Sequence, residues 1–558
     1  MDAKHTGLWQ AKLHARLHDP AEKALVLLRD PAGHEGGTSR ALQRLLGLTE
    51  AEQDAGDEDG AQTMHQRLFR SAIPKSLYQQ VRRADHWSAA ADRPQWPMEE
   101  ITVTTRTGRQ RTLKVADWAQ VRWSKRPVLI HPLTGTELDL GKHGGLADTD
   151  FHDIKARSLA HFERLTVRSG SSPDAEPDWW RTLLSYWRFG PEVAEYEEDD
   201  FGKLGALWRL LPADTRVPDH SIWDHLDLTS AFAGAFAADP DGEVALLALS
   251  IGPVQPFIAA ARSTSDLWAG SHLLARLAWE AIRPVCEQLG PDAILFPRLR
   301  GVPQVDLWLR DQCGLPRDGF KSCEWAQVDT GTDSNPLFSA ALPNRFVALV
   351  PRSQTKALAE LVEQELRTWL QDLGGRTLER LLSAAGIDAD PSLHCYQQMT
   401  EQLQDFPEVH WAAVPFSLVR ETTVDGQRAL DTTQLSAAMA PFLGAAADEP
   451  AGFLATPAWQ VLQRETRWQD GTTFFAPNPG VLYPAVYDLA ERVLAAAKTV
   501  RPFAQTAQQG WRCSLTGETE WLTTDPTQLE TSYRQRSDTL WAKVARERPA
   551  WAKSGEHL

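Results

Sequence analysis

The chain has 558 residues, enough for three or four domains at roughly 100–200 residues each. Its 42% hydrophobic and 24% charged residues exclude a disordered chain and a fibrous repeat. The formal net charge of −16 argues against a protein whose whole surface binds nucleic acid, although a local basic groove is still compatible with it.

The N-terminal region predicts helices. Apolar residues at near-helical spacing over 8–17 predict an amphipathic helix that ends by Pro20. A second helix is expected directly afterwards, because Asp19-Pro-Ala-Glu22 has an Asp suited to the N-cap and Pro at the first helical position. Short β-like pieces with turn residues from about 99 to 150 indicate an insertion.

The middle of the chain carries the clearest supersecondary pattern. The predicted order is a strand (244–251), a helix (265–288), two strands (293–296 and 345–350), a helix (355–385) and a strand (409–418). This βαββαβ order is typical of the ferredoxin-like fold. Beyond residue 430 the pattern is mainly helical, and the stretch 481–500 gives the best-formed helix.

Cellular location and redox state follow from features that the sequence lacks. The apolar runs are shorter than the roughly 20 residues that a membrane helix needs, and the N-terminus has no apolar core of a secretory signal. We therefore expect a cytoplasmic protein without a membrane partner. The five cysteines are few, odd in number and irregularly spaced, so reduced thiols are expected.

His18-Asp19 is the first candidate for chemistry. Imidazole and carboxylate groups are suitable ligands for Mn, Fe, Ni or Co. The alternative is that Asp19 only caps a helix and His18 is an interfacial side chain. Two further pairs on predicted helices, Asp85-His86 and Asp224-His225, give the first pair a context.

Several longer stretches resemble one known family. Three of them resemble the circularly permuted HD nuclease domain of the large subunit of type III-B, Cmr-type CRISPR effector complexes: Leu17-His-Asp-Pro-Ala-Glu-Lys23, Ala84-Asp-His-Trp-Ser-Ala-Ala-Ala-Asp-Arg93 and Pro218-Asp-His-Ser-Ile-Trp-Asp-His225. Two others resemble the first palm, or cyclase-like, domain of that subunit: Ser250-Ile-Gly-Pro-Val-Gln-Pro-Phe-Ile258 and Asp266-Leu-Trp-Ala-Gly-Ser271. Leu342-Pro-Asn-Arg-Phe346 and Pro479-Gly-Val-Leu-Tyr483 fit as well, and all matches run in family order.

The resemblance implies a metal site. Its ligands would be His18, Asp19, Asp85 and His225, with His18 and Asp19 as the catalytic pair and Mn, Ni or Co as the ion. The family cuts single-stranded DNA there by metal-assisted hydrolysis. Weaker candidates, expected outside the ligand set, are His14, His34 and His86. His152-Asp153 imitates the pair inside the insertion and is interpreted as surface.

The resemblance also implies a nucleotide site. In the family, ATP with Mg binds between two palm domains, and the matching positions here are Gly252, Gln255, Arg262 and Ser271. The alternative is that the turn at Gly252 only connects a strand to a helix. The Gly-Gly-Asp-Asp turn of the second palm is not found, so we expect the N-terminal part of the subunit, which does not make cyclic oligoadenylate alone. In Cys513-Ser-Leu-Thr-Gly517, Thr516 replaces the second Cys of a zinc half-site, so no Cys₄ site is expected.

The sequence thus predicts a multidomain α+β protein. We expect a helical permuted HD domain over 1–240 with an insertion at about 99–200, a ferredoxin-like palm over 241–425, and a mainly helical domain over 426–558 with a degenerate zinc-finger region. The leading hypothesis is a metal-dependent single-stranded DNA nuclease subunit that assembles with other Cmr-type subunits, guide RNA and target RNA. One alternative is a non-catalytic scaffold with a vestigial HD site. The other, a stand-alone HD phosphohydrolase, leaves the region 243–558 without a role.

Overall fold

The structure is a computed structural model of the chain. It describes residues 3–26, 75–92, 99–104, 110–115, 123, 127–141, 154–170, 175–193, 204–214, 218–261, 263–328, 334–446, 449–467, 473–500, 508, 510–512 and 520–551. Within these ranges, no helix combines the length and the apolar character needed to cross a bilayer.

The N-terminal part is helical. Its helices are α1 (Ala3–Arg16), α2 (Lys23–Val26), α3 (Lys75–Asp92), α4 (Ile154–Leu165), α5 (Trp179–Phe189), α6 (Leu204–Leu207) and α7 (Ile222–Ala238). Helix α7 is the central one, since α1 and α3 both pack along it. It begins with a capping box, in which the Ser221 and Asp224 side chains satisfy each other's backbone N–H groups.

Two small hairpins interrupt the helices. Strands β1 (Glu99–Thr104) and β2 (Gln110–Val115) pair antiparallel, as do β3 (Val128–Ile130) and β4 (Glu137–Asp139). These hairpins confirm the β-like pieces predicted between 99 and 150. The second hairpin is tied to the start of the α7 segment, because Ile130 N donates a hydrogen bond to Pro218 O at 2.9 Å.

The central sheet has four antiparallel strands. They are β5 (Val244–Gly252), β6 (Ile294–Phe296), β7 (Arg345–Pro351) and β8 (Glu408–Pro415), in the order β6-β7-β5-β8. Strand β5 is buried along nearly its whole length, because Leu247 pairs with Ala348 of β7 on one side and Ala413 of β8 on the other. This is the strand order of a ferredoxin-like βαββαβ unit.

The remaining elements surround and extend this sheet. The helices are α8 (Val254–Ala259), α9 (Thr264–Leu289), α10 (Pro303–Asp311), α11 (Glu324–Gln327), α12 (Thr355–Ala384), α13 (His394–Leu403), α14 (Thr433–Leu443), α15 (Pro457–Leu462), α16 (Tyr483–Thr499) and α17 (Leu540–Glu547). Two short hairpins are formed by β9 (Arg420–Val424) with β10 (Gln427–Asp431) and by β11 (Thr466–Arg467) with β12 (Thr473–Phe475). The long helices α9 and α12 pack against each other, as the two helices of a βαββαβ unit should.

One hydrophobic core runs through the helical part and the sheet. Trp87 of α3 packs against Phe232 and Phe236 of α7 and against Phe416, which follows β8. A second, smaller core lies apart from it and includes Leu382 of α12 and Leu540 of α17. The predicted domain limits at 240 and 425 stay predictions, since the main core crosses both positions.

A buried ion network also joins the helices to the sheet. Lys12 Nζ lies 3.0 Å from Asp292 Oδ1, and Arg16 Nη2 lies 3.2 Å from Asp292 Oδ2. Arg16 also pairs with Asp227 at 2.7 Å, and Arg300 pairs with the same carboxylate at 2.8 Å. Helix α1 is therefore held by charge both to α7 and to the segment around β6.

Two local expectations were tested directly. The helix predicted to start at Asp19 begins instead at Lys23, because residues 17–22 form turns, so the prediction of Asp19 as N-cap was wrong. Cys286, Cys313, Cys323 and Cys395 are buried free thiols, as predicted for a reduced protein. The Cys513 segment lies outside the described residues.

Candidate metal centre

Three helices bring the four predicted ligands together. His18 and Asp19 follow the end of α1, Asp85 lies in the middle of α3, and His225 lies in the first turn of α7. All four side chains are at least four-fifths buried, because the three helices pack directly on one another. The capping box at Ser221 fixes where α7 begins and therefore where His225 points.

The ligand atoms face a common point. His18 Nδ1 lies 4.0 Å from Asp19 Oδ1 and 3.9 Å from Asp85 Oδ1. His225 Nε2 lies 3.4 Å from Asp19 Oδ2 and 3.5 Å from Asp85 Oδ1. His18, Asp19 and Asp85 can each offer one atom such that all three atoms lie within 4.8 Å of one another.

This donor set fits a divalent ion. Nitrogen and oxygen ligands bind such ions at about 2.0–2.2 Å, which places neighbouring ligand atoms about 3.0–3.5 Å from each other. The separations of His225 Nε2 from the two carboxylates, 3.4 and 3.5 Å, match this value, and His18 Nδ1 lies somewhat farther from them, at 3.9 and 4.0 Å. Two imidazoles with two carboxylates are a mixed set that suits first-row transition metals.

Asp92 orients the fourth ligand. Its Oδ2 lies 2.6 Å from His225 Nδ1. An ionised carboxylate can only accept, so Nδ1 carries the proton and Nε2 is directed at Asp19 and Asp85. Ser88 supports the same ring, with its Oγ 3.2 Å from Nδ1. A carboxylate behind a ligating histidine is the usual support of a metal-bound imidazole.

The electrostatics of the cluster favour a cation. Burial by itself would lower the pKa of His225, yet hydrogen bonds to Asp19, Asp85 and Asp92 raise it well above the usual value. Burial would raise the pKa of Asp85, but His18 and His225 hold it below its ordinary range. The carboxylates therefore create a negative site that a positive group stabilises.

Lys23 adds one positive charge at the rim. Its Nζ donates to Asp19 Oδ2 at 2.5 Å, one helical turn after Asp19 in sequence. The Asp19 Oδ1 atom, in contrast, is directed towards His18. Lys23 thus fixes the orientation of the Asp19 carboxylate while leaving one of its oxygens on the side of the other ligands.

The weaker histidine candidates do not join the cluster. His14 is buried one turn before His18 and packs edge-on against Trp179 at 5.5 Å, and burial lowers its pKa to about 4. His86, the next residue after Asp85 on α3, is exposed. The structure therefore agrees with their placement outside the ligand set. His34 and His152-Asp153 lie outside the described residues.

The predicted nucleotide residues lie at the end of β5. Gly252 ends the strand, Gln255 is exposed on α8, and the Ser271 hydroxyl donates to Leu267 O at 2.8 Å within α9. Arg262 lies outside the described residues. Contact of these residues with a nucleotide stays a prediction.

Sequence reasoning missed three residues of the site: Ser88, Asp92 and Lys23. A signal was available for the first two, because Asp85, Ser88 and Asp92 are spaced three and four residues apart and so share one face of α3. Lys23 gave no such signal, since its contact depends on the turn at residues 17–22.

Comparisons with known proteins point to one family. Residues 246–375, which contain most of β5 and all of β6 and β7, match the family described as CRISPR-associated protein Cmr2, N-terminal. The chain is 33% identical over 205 residues to the CRISPR system Cmr subunit Cmr2 of Pyrococcus furiosus, covering 37% of this chain and 20% of that protein. It is 41% identical over 98 residues to the CRISPR system CMR subunit Cmr2 of Saccharolobus solfataricus, covering 17% and 9%.

Two solved structures of effector-complex proteins also match the chain. A cryo-EM structure of the type III-B Cmr-beta bound to cognate target RNA matches with a TM-score of 0.48 at 16% identity, covering 96% of this chain and 48% of that chain. The apo Csm1-Csm4 cassette matches with a TM-score of 0.32 at 12% identity, covering 74% and 44%. The matches therefore span less than half the length of each of these relatives. Residues 246–375 thus match the Cmr2 N-terminal family, and the chain is similar to parts of two Cmr2 subunits.

Proposed function

We propose that this chain is the metal-dependent nuclease part of a type III-B effector subunit, and that it hydrolyses single-stranded DNA at the cluster on α1, α3 and α7. One observation carries the proposal: four buried side chains, two directly after α1, one on α3 and one on α7, converge with imidazole–carboxylate separations of 3.4–4.0 Å. A bound ion supplies the positive charge that polarises a phosphodiester bond.

The side chains of the chain have separate tasks in this proposal. Asp92 keeps the proton at His225 Nδ1, so that Nε2 is free to act as a ligand. Asp19 and Asp85 supply the negative charge that retains the ion. Lys23, partly exposed beside Asp19, offsets some of that charge and lets a polyanionic substrate approach.

The sheet supports a second part of the proposal. We infer that the βαββαβ unit is the first palm, in which Gly252, Gln255, Arg262 and Ser271 face ATP and Mg when a second palm is present. The Cmr2 match over 246–375 supports this assignment. The chain would act in the cytoplasm with other Cmr-type subunits, guide RNA and target RNA, and the net charge of −16 favours RNA binding chiefly by those partners.

Cleavage of a labelled single-stranded DNA tests the nuclease. The purified chain is incubated with Mn²⁺, Ni²⁺, Co²⁺ or Mg²⁺, alone and with partner subunits and target RNA. We expect metal-dependent cutting that is lost in His18→Ala/Asp19→Ala and reduced about 10–100-fold in Asp92→Asn, because the latter removes the support of His225. His86→Ala is the matched control, since His86 is exposed outside the cluster, and it should cut like the wild type.

The same experiment distinguishes the nuclease from the alternative of a non-catalytic scaffold. If no metal gives cleavage under any of these conditions, while assembly with partner subunits is intact in His18→Ala/Asp19→Ala, the chain is a scaffold with a vestigial site. The ion pair between Lys23 and Asp19 favours that alternative, because it satisfies one carboxylate of the cluster without an ion.

A further inference from the structure

A cavity of about 850 Å³ lies next to the metal-binding cluster. Its walls come from the β3–β4 hairpin, from residues 209–210 and from the segment 218–224 at the start of α7. His220 lies between the cavity and the cluster, because its ring lines the cavity and its Nε2 is 3.8 Å from Asp92 Oδ2. Asp92 in turn bonds His225, so only one carboxylate separates His220 from a metal ligand.

Most charges in the wall are already compensated. Asp219 bonds His220 Nδ1 at 2.6 Å, Asp224 pairs with Arg298 at 3.3 Å, and Arg300 pairs with Asp227 at 2.8 Å. Glu192 is likewise bonded by Arg188 at 2.5 Å. Asp219, Asp224 and Glu192 thus line the cavity with their charges paired, Asp227 lies behind the lining, and Glu137 adds one further exposed carboxylate to the wall.

Arg209 is the exception among the charged groups. It is exposed in the cavity wall and makes no ion pair with any residue in the described ranges. A guanidinium in this state is a ready partner for a phosphate, which it can bind with two parallel hydrogen bonds. The cavity thus offers one uncompensated cation beside the cluster.

The rest of the lining combines aliphatic side chains with the polar residues His131, Thr134, Thr136, Glu137 and Ser221. Leu129, Ile130, Leu138 and Leu210 contribute aliphatic side chains, and Leu138 and Leu210 are 50% and 37% exposed. Mainly apolar walls with a few placed polar groups are typical of small-molecule sites of this volume. A nucleotide matches the set, because its base and sugar offer apolar faces and its phosphate offers one anion.

We propose that this cavity binds one nucleotide of a single-stranded nucleic acid, with Arg209 on its phosphate, while the adjoining phosphodiester lies at the cluster. The inference rests on the proposed nuclease function, whose substrate it places. His220 forms the boundary between the bound nucleotide and the ligand shell.

Binding without metal tests the cavity independently of catalysis. Fluorescence anisotropy of labelled ten-residue oligothymidylate and oligouridylate is measured in EDTA with the full chain. We expect Arg209→Glu to weaken binding about tenfold and to reduce the dependence of log K on log salt by about one unit, because one phosphate contact is lost. Tighter binding of oligothymidylate identifies DNA as the strand, and tighter binding of oligouridylate identifies RNA.

Arg376→Ala is the matched control. Arg376 is exposed on α12 and outside the cavity, so its removal should leave both dissociation constants unchanged. Equal binding by wild type and Arg209→Glu, or an equal loss in Arg376→Ala, would overturn the proposal. Cleavage of the labelled single-stranded DNA under the metal and partner conditions given above keeps the two hypotheses apart, since its absence under all of them contradicts the nuclease while the anisotropy result judges the cavity alone.

Discussion

Asp292 is a buried carboxylate shared by two buried cations. Its carboxylate is fully buried and contacts both Lys12 and Arg16. Burial would raise the pKa of Asp292, but these two cations hold it below its usual range. Burial lowers the pKa of Lys12 in spite of Asp292, because the ammonium has one carboxylate partner where Asp292 has two cations.

We predict that Asp292→Asn lowers the free energy of unfolding by about 3–5 kcal/mol, because it leaves two buried cations without their shared partner. Urea denaturation followed by circular dichroism measures the change. The control is Asp318→Asn, which breaks an exposed ion pair with Lys321 and should leave the denaturation midpoint in place. Equal midpoints for wild type and Asp292→Asn would contradict the prediction.

The same residue predicts a dependence on pH. The folded pKa of Asp292 lies below the unfolded value of about 3.9, so its stabilising effect is complete above that value and is lost as the pH falls through the folded pKa. The wild type should therefore lose more stability than Asp292→Asn between pH 5 and pH 3. This comparison needs no assumption about a metal ion.

At this scale the sequence pointed to four side chains that the structure brings together, but not to the residues that support them. His18, Asp19, Asp85 and His225 could be found because residue type and motif resemblance both point to them. The sequence alone did not identify Asp92 as a site residue. Only the structure shows that its carboxylate lies 2.6 Å from the ring of His225, 133 positions later. A pairing over that distance in sequence depends on how α3 packs against α7.

At the scale of elements, the packing of α3 depends on a close contact between Gly480 and the backbone of Trp87. Gly480 lies against the Trp87 backbone, and a Cβ there would come within 2.7 Å of Trp87 Cα. The neighbouring Asn478 Nδ2 donates to His86 O at 3.3 Å. The segment before α16 thus holds the middle of the helix that carries Asp85.

We predict that Gly480→Ala destabilises the protein by about 1–3 kcal/mol, because backbone atoms cannot move aside as a flexible side chain could. Thermal denaturation measures it, and the displacement of α3 should also weaken binding of Mn²⁺ in a titration.

Gly375→Ala is the matched change. Gly375 lies inside α12 with nothing within 4 Å of the added Cβ, so this variant should gain up to about 1 kcal/mol. If the two variants shift the melting temperature in the same direction, the close contact at Gly480 does not control how α3 packs against the segment before α16.

The sheet elements were predicted to within a few residues, whereas the start of the second helix was not. Strand β5 has an uninterrupted apolar sequence bounded by Gly252, a pattern that indicates burial on both faces. Asp19 has the local sequence of an N-cap, but its carboxylate is directed at Lys23 and His225 instead. Local rules failed where a side chain serves the cluster, which is where such failures are expected.

At the scale of the whole molecule, the helical part and the sheet share one core. Phe416 follows β8, and its ring centroid lies 5.6 Å from Trp87, 5.7 Å from Phe232 and 6.4 Å from Tyr483. One side chain therefore joins four separate segments of the chain. The sequence could not show this, because nothing in the local pattern around Phe416 identifies partners as distant in the chain as Trp87 and Phe232.

We predict that Phe416→Ala costs about 3–5 kcal/mol and increases amide exchange in α7 and β5 together, because both belong to the core that it opens. Hydrogen exchange with mass spectrometry resolves the two segments.

Leu382→Ala provides the comparison, since Leu382 belongs to the smaller core with Leu540. Its effect should be confined to α12, α13 and α17. Faster exchange in α7 after this second substitution would show that the two cores do not behave separately.

The wide separation of the ligands in sequence has a consequence for synthesis. His18 and Asp19 leave the ribosome roughly 200 residues before His225, which at about 5–20 residues per second is a delay of about 10–40 s. During that time the nascent chain carries only an incomplete set of donors, with neither Asp92 nor α7 in place to orient them. Under the proposed function, metal loading at this centre is therefore a late event that follows the arrival of α7 and not the emergence of His18 and Asp19.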